Sequence, residues 1–438
     1  MSEKKTWAIV GGGMLGMTLA IRLSQEGNEV TIYESAENVG GLTSSWQMDG
    51  IVWDRFYHVI LMSDLNTIKI LKEIGLENDL RWVETKTGFY SGGKLYSMSN
   101  IIEFFKFPPI NLVDKFRLGL TIFVASKIKN WQKLEKILVA EWLTCWSGKR
   151  VFEKIWLPLL KAKLGENYKN TSAAFIWTTI QRMYAARKSG LKKEMFGYVT
   201  GGYEKINKQF AKHLLKSGVN IKYHSKVNSI KKASNGMLEV ISTNDRQAFD
   251  YVISTLSSKA SVMMTGELTE FEKNKHENIK YLGVICPSIL LKNPISKFYV
   301  TNITDAWPPY TGVIEMTALI DKKEVNNMNL IYLPKYVNSD DPLFNKDDAE
   351  LRKIFMDALF KMYPEISEND LVFWGVSKAR VVFALPTINY SKNIPGIKTS
   401  IDNFYIINSA QIINGTLNVN ETIQVAENKL KEILNNHG

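Results

Sequence analysis

Cysteine is nearly absent. Cys145 and Cys286 are the only two in 438 residues, too few for a disulfide framework and without the CxxC spacing of a zinc or redox motif. The five histidines, at 58, 213, 224, 276 and 437, show no ligand spacing, so no metal site is expected. No apolar run approaches the roughly 20 residues of a membrane-spanning helix. The short apolar stretch behind the charged N-terminus is cut by glycines, so no export signal is expected and a cytoplasmic location is the default. GxSxG, a Walker lysine and HExxH are all missing.

What is present describes a folded chain of two or three units: 45% of residues are hydrophobic and 23% charged, far from the profile of a disordered segment. Charge is uneven. Residues 101–194 hold 18 Lys and Arg against 7 Asp and Glu, which accounts for the whole net charge of +11. Five of the eleven tryptophans lie there too: Trp131, Trp142, Trp146, Trp156 and Trp177. Helical spacing runs through this stretch, with Asn111 as an N-cap, Asp114 three residues on, and Val113, Phe116, Leu120 and Phe123 on one face. Three readings stay open: a solvated helical cap with tryptophans in its core, a peripheral anionic membrane surface, or nucleic-acid binding, for which no recognition motif accompanies the charge.

The most regular pattern is at the N-terminus. Residues 6–10 are apolar and strand-like, a glycine-rich turn follows, residues 17–26 have helical spacing, and EVTIYE at 29–34 is a second strand closing on an acid. Within it, Gly11, Gly13 and Gly16 fit G-x-G-x-x-G in its required strand–turn–helix context, with Met14 and Leu15 opening the helix. Gly11 allows the tight turn, Gly13 the approach of a pyrophosphate, and Gly16 close helix packing. Glu34, 18 residues after Gly16, stands where a carboxylate accepts hydrogen bonds from an adenosine ribose, with Ser35 beside it.

Six residues after Glu34 comes a second glycine pair, Gly40-Gly41, followed by Leu42-Thr43. At this point the chain resembles the flavin-containing amine oxidase superfamily, which includes protoporphyrinogen oxidases, phytoene-type desaturases and, more distantly, UDP-galactopyranose mutases. YVTGGY at 198–203, KVNSI at 226–230 with Val227 at the adenine, FDYVIST at 249–255 and FYIINSA at 404–410 extend the resemblance over nearly the whole chain. It implies FAD as cofactor, with Asn408, Ser409, Gly415 and Asn418 around the ribityl chain and ring. The family usually has an acid where Asn408 stands, and the loop at 411–419 is short. DRFYHVI at 54–60 should run near the isoalloxazine, making Tyr57 and His58 the catalytic candidates. His58 either moves protons near neutrality or is a packed histidine. Arg380 in a strand-like run either meets an anionic substrate group or the cofactor, or forms a structural salt bridge.

The expected architecture is α/β. A Rossmann-type FAD-binding domain is assembled from residues 1–60, 195–265 and 370–438, with a mostly helical basic insertion at 61–194 and a β-rich, mixed-sheet substrate domain at 266–369. The activity implied is dehydrogenation of a small lipophilic or anionic molecule by hydride transfer to flavin. The alternatives are a flavin-dependent nucleotide-sugar mutase without net redox, or a flavin-binding interaction protein without turnover.

Overall fold

A computed structural model describes residues 4–186 and 194–435. The expected N-terminal unit is there: β1 (Thr6–Val10), α1 (Met14–Gln25) and β2 (Glu29–Tyr33). The two strands pair in parallel, and Gly27, at φ +85°, ends the helical segment where a side chain would be strained. Strands Asn220–Lys222, Tyr251–Ser254 and Phe404–Ile406 complete a five-stranded, all-parallel sheet with β1 at its centre.

Both faces of that sheet are covered, which is why its strands are continuous apolar runs. Trp7 and Ile9 face a layer containing α1 and the helices Gly202–Lys216 and Val419–Asn435. Ala8 and Val10, with the opposite parity, face a three-stranded antiparallel sheet through Val240 and Phe249.

The second large sheet is mixed: its strands are antiparallel except where Val300–Ile303 runs parallel to Thr87–Ser91. Its spine is Tyr281–Leu291, buried along its whole length and flanked along one edge by Leu371–Ala384. This sheet crosses two of the expected divisions. Residues 371–384 belong to this sheet rather than to the cofactor sheet, and Thr87–Ser91 and Lys94–Ser97 within the expected helical insertion are strands of it. An apolar run reveals a strand but not its partner.

Between these strands and Ala186 the chain is mostly helical, with Trp142, Leu143, Trp156 and Phe175 in a core that reaches Leu282 and Phe383 of the mixed sheet. Helix Leu112–Lys127 starts at the expected N-cap Asn111, which forms a reciprocal capping box with Asp114. Its buried face, however, is Leu118, Thr121 and Ala125, and Lys115 turns inward to donate to the Phe105 carbonyl at 2.6 Å. Val113, Phe116, Leu120 and Phe123 do share a face, and it is the solvent face, at 63%, 72%, 39% and 53% exposure. Arg187, Lys188, Lys192 and Lys193 of the basic stretch, and His437, lie outside the described residues.

Candidate active site

The turn after β1 is built around contacts that only glycine permits. Gly11 sits at φ +107°, and a Cβ on Gly16 would lie 2.0 Å from the Gly11 carbonyl oxygen, so the helix can rest on the turn only without a side chain there. Gly13 is different: its backbone is extended (φ −74°, ψ 177°), and the nearest protein atom to an added Cβ, the Gly40 oxygen, is 4.0 Å away. Nothing in the fold itself demands glycine at 13. What a side chain there would fill is the cavity in front of the turn.

The second glycine pair is held against the first. Gly40 donates to the Gly12 carbonyl at 2.8 Å, and Asn207 on helix Gly202–Lys216 bonds both the carbonyl (2.9 Å) and the hydroxyl (3.1 Å) of Thr43. Asn207 has no sequence signal, because its partner is 164 residues away. Glu34 closes the cradle: its carboxylate accepts from the amides of Gly12 and Ala36, both at 2.8 Å, which keeps lone pairs free on the cavity side.

These groups line one end of a cavity of about 820 Å³. Of the residues singled out from sequence, Gly11, Gly13, Met14, Leu15, Glu34, Gly40, Gly41, Leu42, Thr43, Tyr57, His58, Asn408, Ser409 and Asn418 are in its wall. Gly16 lies beneath the turn, and Ser35 is exposed, with its hydroxyl 3.3 Å from Glu34. Val227 is in the core of the three-stranded sheet, and Gly415 packs on Ile412 and Glu421 behind the wall.

Arg380 is not in the wall. Its guanidinium donates to the Ser339 carbonyl (3.0 Å) and to Asn345 (2.9 Å) at the surface and covers the Phe344 ring. The strand explains this: Leu282 pairs with Phe383 but Val284 pairs with Ala379, so residues 380–382 bulge opposite Gly283. Val381 and Val382 meet the cavity and Arg380 turns away.

Asn408 has a reason to replace an acid. Its Nδ2 donates to the Leu256 carbonyl (2.9 Å) and to Ser258 (3.3 Å), while its Oδ1 accepts from the Ala410 amide at 2.9 Å. A carboxylate would set an acceptor against the Leu256 carbonyl.

At the far side of the cradle, strand Ile51–Asp54 delivers Tyr57 and His58 to the cavity. Asp54 accepts from the Tyr203 amide at 2.9 Å and lies 3.9 Å from His58 Nδ1, which makes no hydrogen bond among the described residues. Burial pushes the Asp54 carboxyl up to about 8 and draws the His58 imidazole down to about 4. In each, burial favours the uncharged form. Burial also lifts Tyr57 to about 12, so its hydroxyl, 3.0 Å from that of Tyr336, keeps its proton. Held uncharged by burial, these groups can orient a ligand through donors and acceptors rather than through charge.

Much of the remaining wall is apolar, with Trp156, Leu160, Phe175, Ile176, Val284 and Val382, and Thr179, Asn302 and Thr311 add polar atoms to it. Among the described residues two cations that sequence reading missed reach it. Arg182 is neutralised by Asp64 at 2.8 Å. Lys163 has no such partner among the described residues. Its position in a basic run hid it among surface charges.

The family model for flavin-containing amine oxidoreductases matches residues 15–389. The chain belongs to that family. It is similar to zeta-carotene desaturase of Synechocystis sp., 25% identical over 257 residues, a match covering 53% of this chain and 52% of the relative. The chain spans about half the length of the curated relatives it matches. Solved structures share the fold: an oxidoreductase from Methanosarcina mazei, 17% identical with a TM-score of 0.76 over 97% of this chain and 100% of the other, and a CLA-producing fatty acid isomerase from P. acnes, 14% identical with a TM-score of 0.73 over 99% of both. The cofactor of this family is FAD, and the cradle fits it: an open Gly13, a paired glycine wall and a buried carboxylate with free lone pairs suit a pyrophosphate and an adenosine ribose.

Glu34→Ala should weaken FAD binding by about 1.5 to 3 kcal/mol, on the order of ten- to a hundred-fold, through loss of charge-assisted hydrogen bonds. Titration of apoprotein with FAD measures this, and FMN, lacking the adenosine half, should not substitute. Equal FAD affinity in the variant would remove Glu34 from the site.

Proposed function

We propose that this oxidoreductase dehydrogenates a small, largely lipophilic molecule, taking hydride from one C–H bond onto FAD while the second hydrogen leaves as a proton, so that a new double bond forms in the product. The observation that carries the reading is a single cavity that runs from the glycine cradle to an apolar chamber without interruption. When bound, FAD supplies the hydride acceptor. Gly11, Gly13, Gly40, Gly41 and Glu34 would hold its dinucleotide half, and the segments 56–59 and 408–418 its ring half. The chain's own residues then do the rest: Trp156, Leu160, Phe175 and Val382 exclude water and orient an apolar body, and the neutral Tyr57 and His58 present polar atoms without competing charge. The similarity to desaturases fits such a substrate. A mostly apolar wall suits a lipophilic body better than a hydroxyl-rich nucleotide sugar, and Arg380 faces away from it, so mutase chemistry is not favoured. Anaerobic mixing with candidate apolar substrates should bleach the flavin band; bleaching by none of a broad lipophilic panel would count against the proposal.

The reading extends to an anionic membrane surface. Among the described residues no helix is long and apolar enough to cross a bilayer. Yet Phe105, Leu112, Val113, Phe116 and Phe123 are all at least half exposed on neighbouring helices, and the Lys127 ammonium lies 5.3 Å from the Phe123 ring centroid. Apolar rings among Lys and Arg suit an acidic lipid interface. Each phenylalanine returned to water costs about 1.5 to 3 kcal/mol, so F116E/F123E should reduce flotation with phosphatidylserine vesicles by about tenfold or more. Absence of wild-type flotation at low salt would leave these helices a soluble cap.

A further inference from the structure

We propose that Lys163 binds a carboxylate at one end of an otherwise apolar substrate. This rests on the chamber being the substrate site of the flavin-dependent reaction. Lys163 is on helix Leu157–Leu164, and it lines the same apolar wall as Leu159 and Leu160. Among the described residues its ammonium makes no ion pair and no hydrogen bond; its neighbour is the face of the Tyr336 ring, 3.2 Å from the centroid. Lys161, two residues earlier, points outward and pairs with Glu166. Burial alone draws the Lys163 ammonium down to about 7, because nothing negative offsets it.

A cation kept in an apolar chamber is offset most effectively by one anion brought in with the ligand. Geometry favours a carboxylate. Tyr57 and Tyr336 share one hydrogen bond at 3.0 Å, and burial keeps both phenols protonated, so one of the two O–H hydrogens is available to a carboxylate oxygen beside the ammonium. A phosphate would need a second free cation, and Arg182, which also reaches the cavity, is held by Asp64. Most of the remaining wall, with Trp156, Phe175 and Val382, offers hydrocarbon contact, and Thr179, Asn302 and Thr311 are its polar exceptions. Together these describe a carboxylic acid with a hydrophobic chain, acid end on Lys163.

The test uses the purified flavin-loaded protein and parinaric acid, whose fluorescence reports binding, beside its methyl ester. The wild type should bind the acid at least about tenfold tighter than the ester, the scale of a buried charge-assisted contact. K163M, of similar length and without charge, should bind both equally while retaining wild-type flavin content, and K163R should keep the preference. Equal binding of acid and ester by the wild type, or an undiminished preference in K163M, would overturn the proposal. So would a K163M protein that binds the acid normally but no longer bleaches with substrate, which would make Lys163 a proton acceptor instead. A wild type that prefers the acid, with the preference lost in K163M, yet never bleaches with any substrate would sink the dehydrogenation reading and leave the carboxylate site standing.

Discussion

Gly13→Val protein is expected to fold normally and to purify colourless. The extended backbone at Gly13 suits any residue, and the nearest protein atom to a new Cβ is 4.0 Å away, so the substitution costs the fold little. The two γ-methyls would instead stand where Gly11, Gly40 and Gly41 come together on the cavity wall, in the path of a pyrophosphate. Loss of flavin affinity by about a hundredfold or more is expected from such an obstruction. Gly16→Ala is the contrasting variant: its Cβ would meet the Gly11 carbonyl at 2.0 Å, so folded protein and flavin should fail together. Circular dichroism melts beside flavin absorbance separate the two. Yellow Gly13→Val protein with wild-type flavin content would place the pyrophosphate elsewhere.

The second large effect concerns pH. Asp54 is 2% exposed, and burial holds its carboxyl near 8, against about 3.9 in an unfolded chain. Between those values the folded state binds the extra proton, so stability falls as pH rises, by an amount on the order of 5 kcal/mol when the window is fully crossed. His58 acts with the opposite slope: its folded value is near 4, so its contribution falls away as pH drops below about 6.5. Asp54→Asn, which keeps an acceptor for the Tyr203 amide, should abolish the decline between about pH 4 and pH 8 and leave the His58 loss below about pH 6.5. Urea midpoints at several pH values from about 4 to 9 read this directly. Parallel curves for the two proteins, or a variant less stable at every pH, would mean that Asp54 is ionised in the fold and paired with His58.

The parts legible in the sequence are those whose determinants are local. β1, the glycine turn and β2 follow from apolar runs and from glycines at fixed spacing, and Glu34 is found because it ends the second strand. The capping box at Asn111 and Asp114 is likewise contained within four residues. Long-range consequences are hidden. The helical period of Val113, Phe116, Leu120 and Phe123 identifies a face, but a period does not say whether protein or solvent covers it. Arg380 misleads because a bulge opposite Gly283 changes which side of the strand it leaves from. His58 is a plausible proton carrier until its burial is known, and Lys163 is one lysine among many until the apolar wall around it is known. Asn408 looks like a lost acid, whereas the donor it supplies to Leu256 is specific to an amide.

The most direct test of the central claim is the stoichiometry of one anaerobic turnover, with flavin reduction followed by absorbance and product by mass spectrometry. A two-electron dehydrogenation that uses the cavity as described predicts one equivalent of reduced FAD for each product molecule two hydrogens lighter, with the yellow colour returning only when an acceptor is admitted. Product of unchanged mass formed while the flavin stays oxidised, or formed only after prior reduction with no reductant consumed, would contradict it.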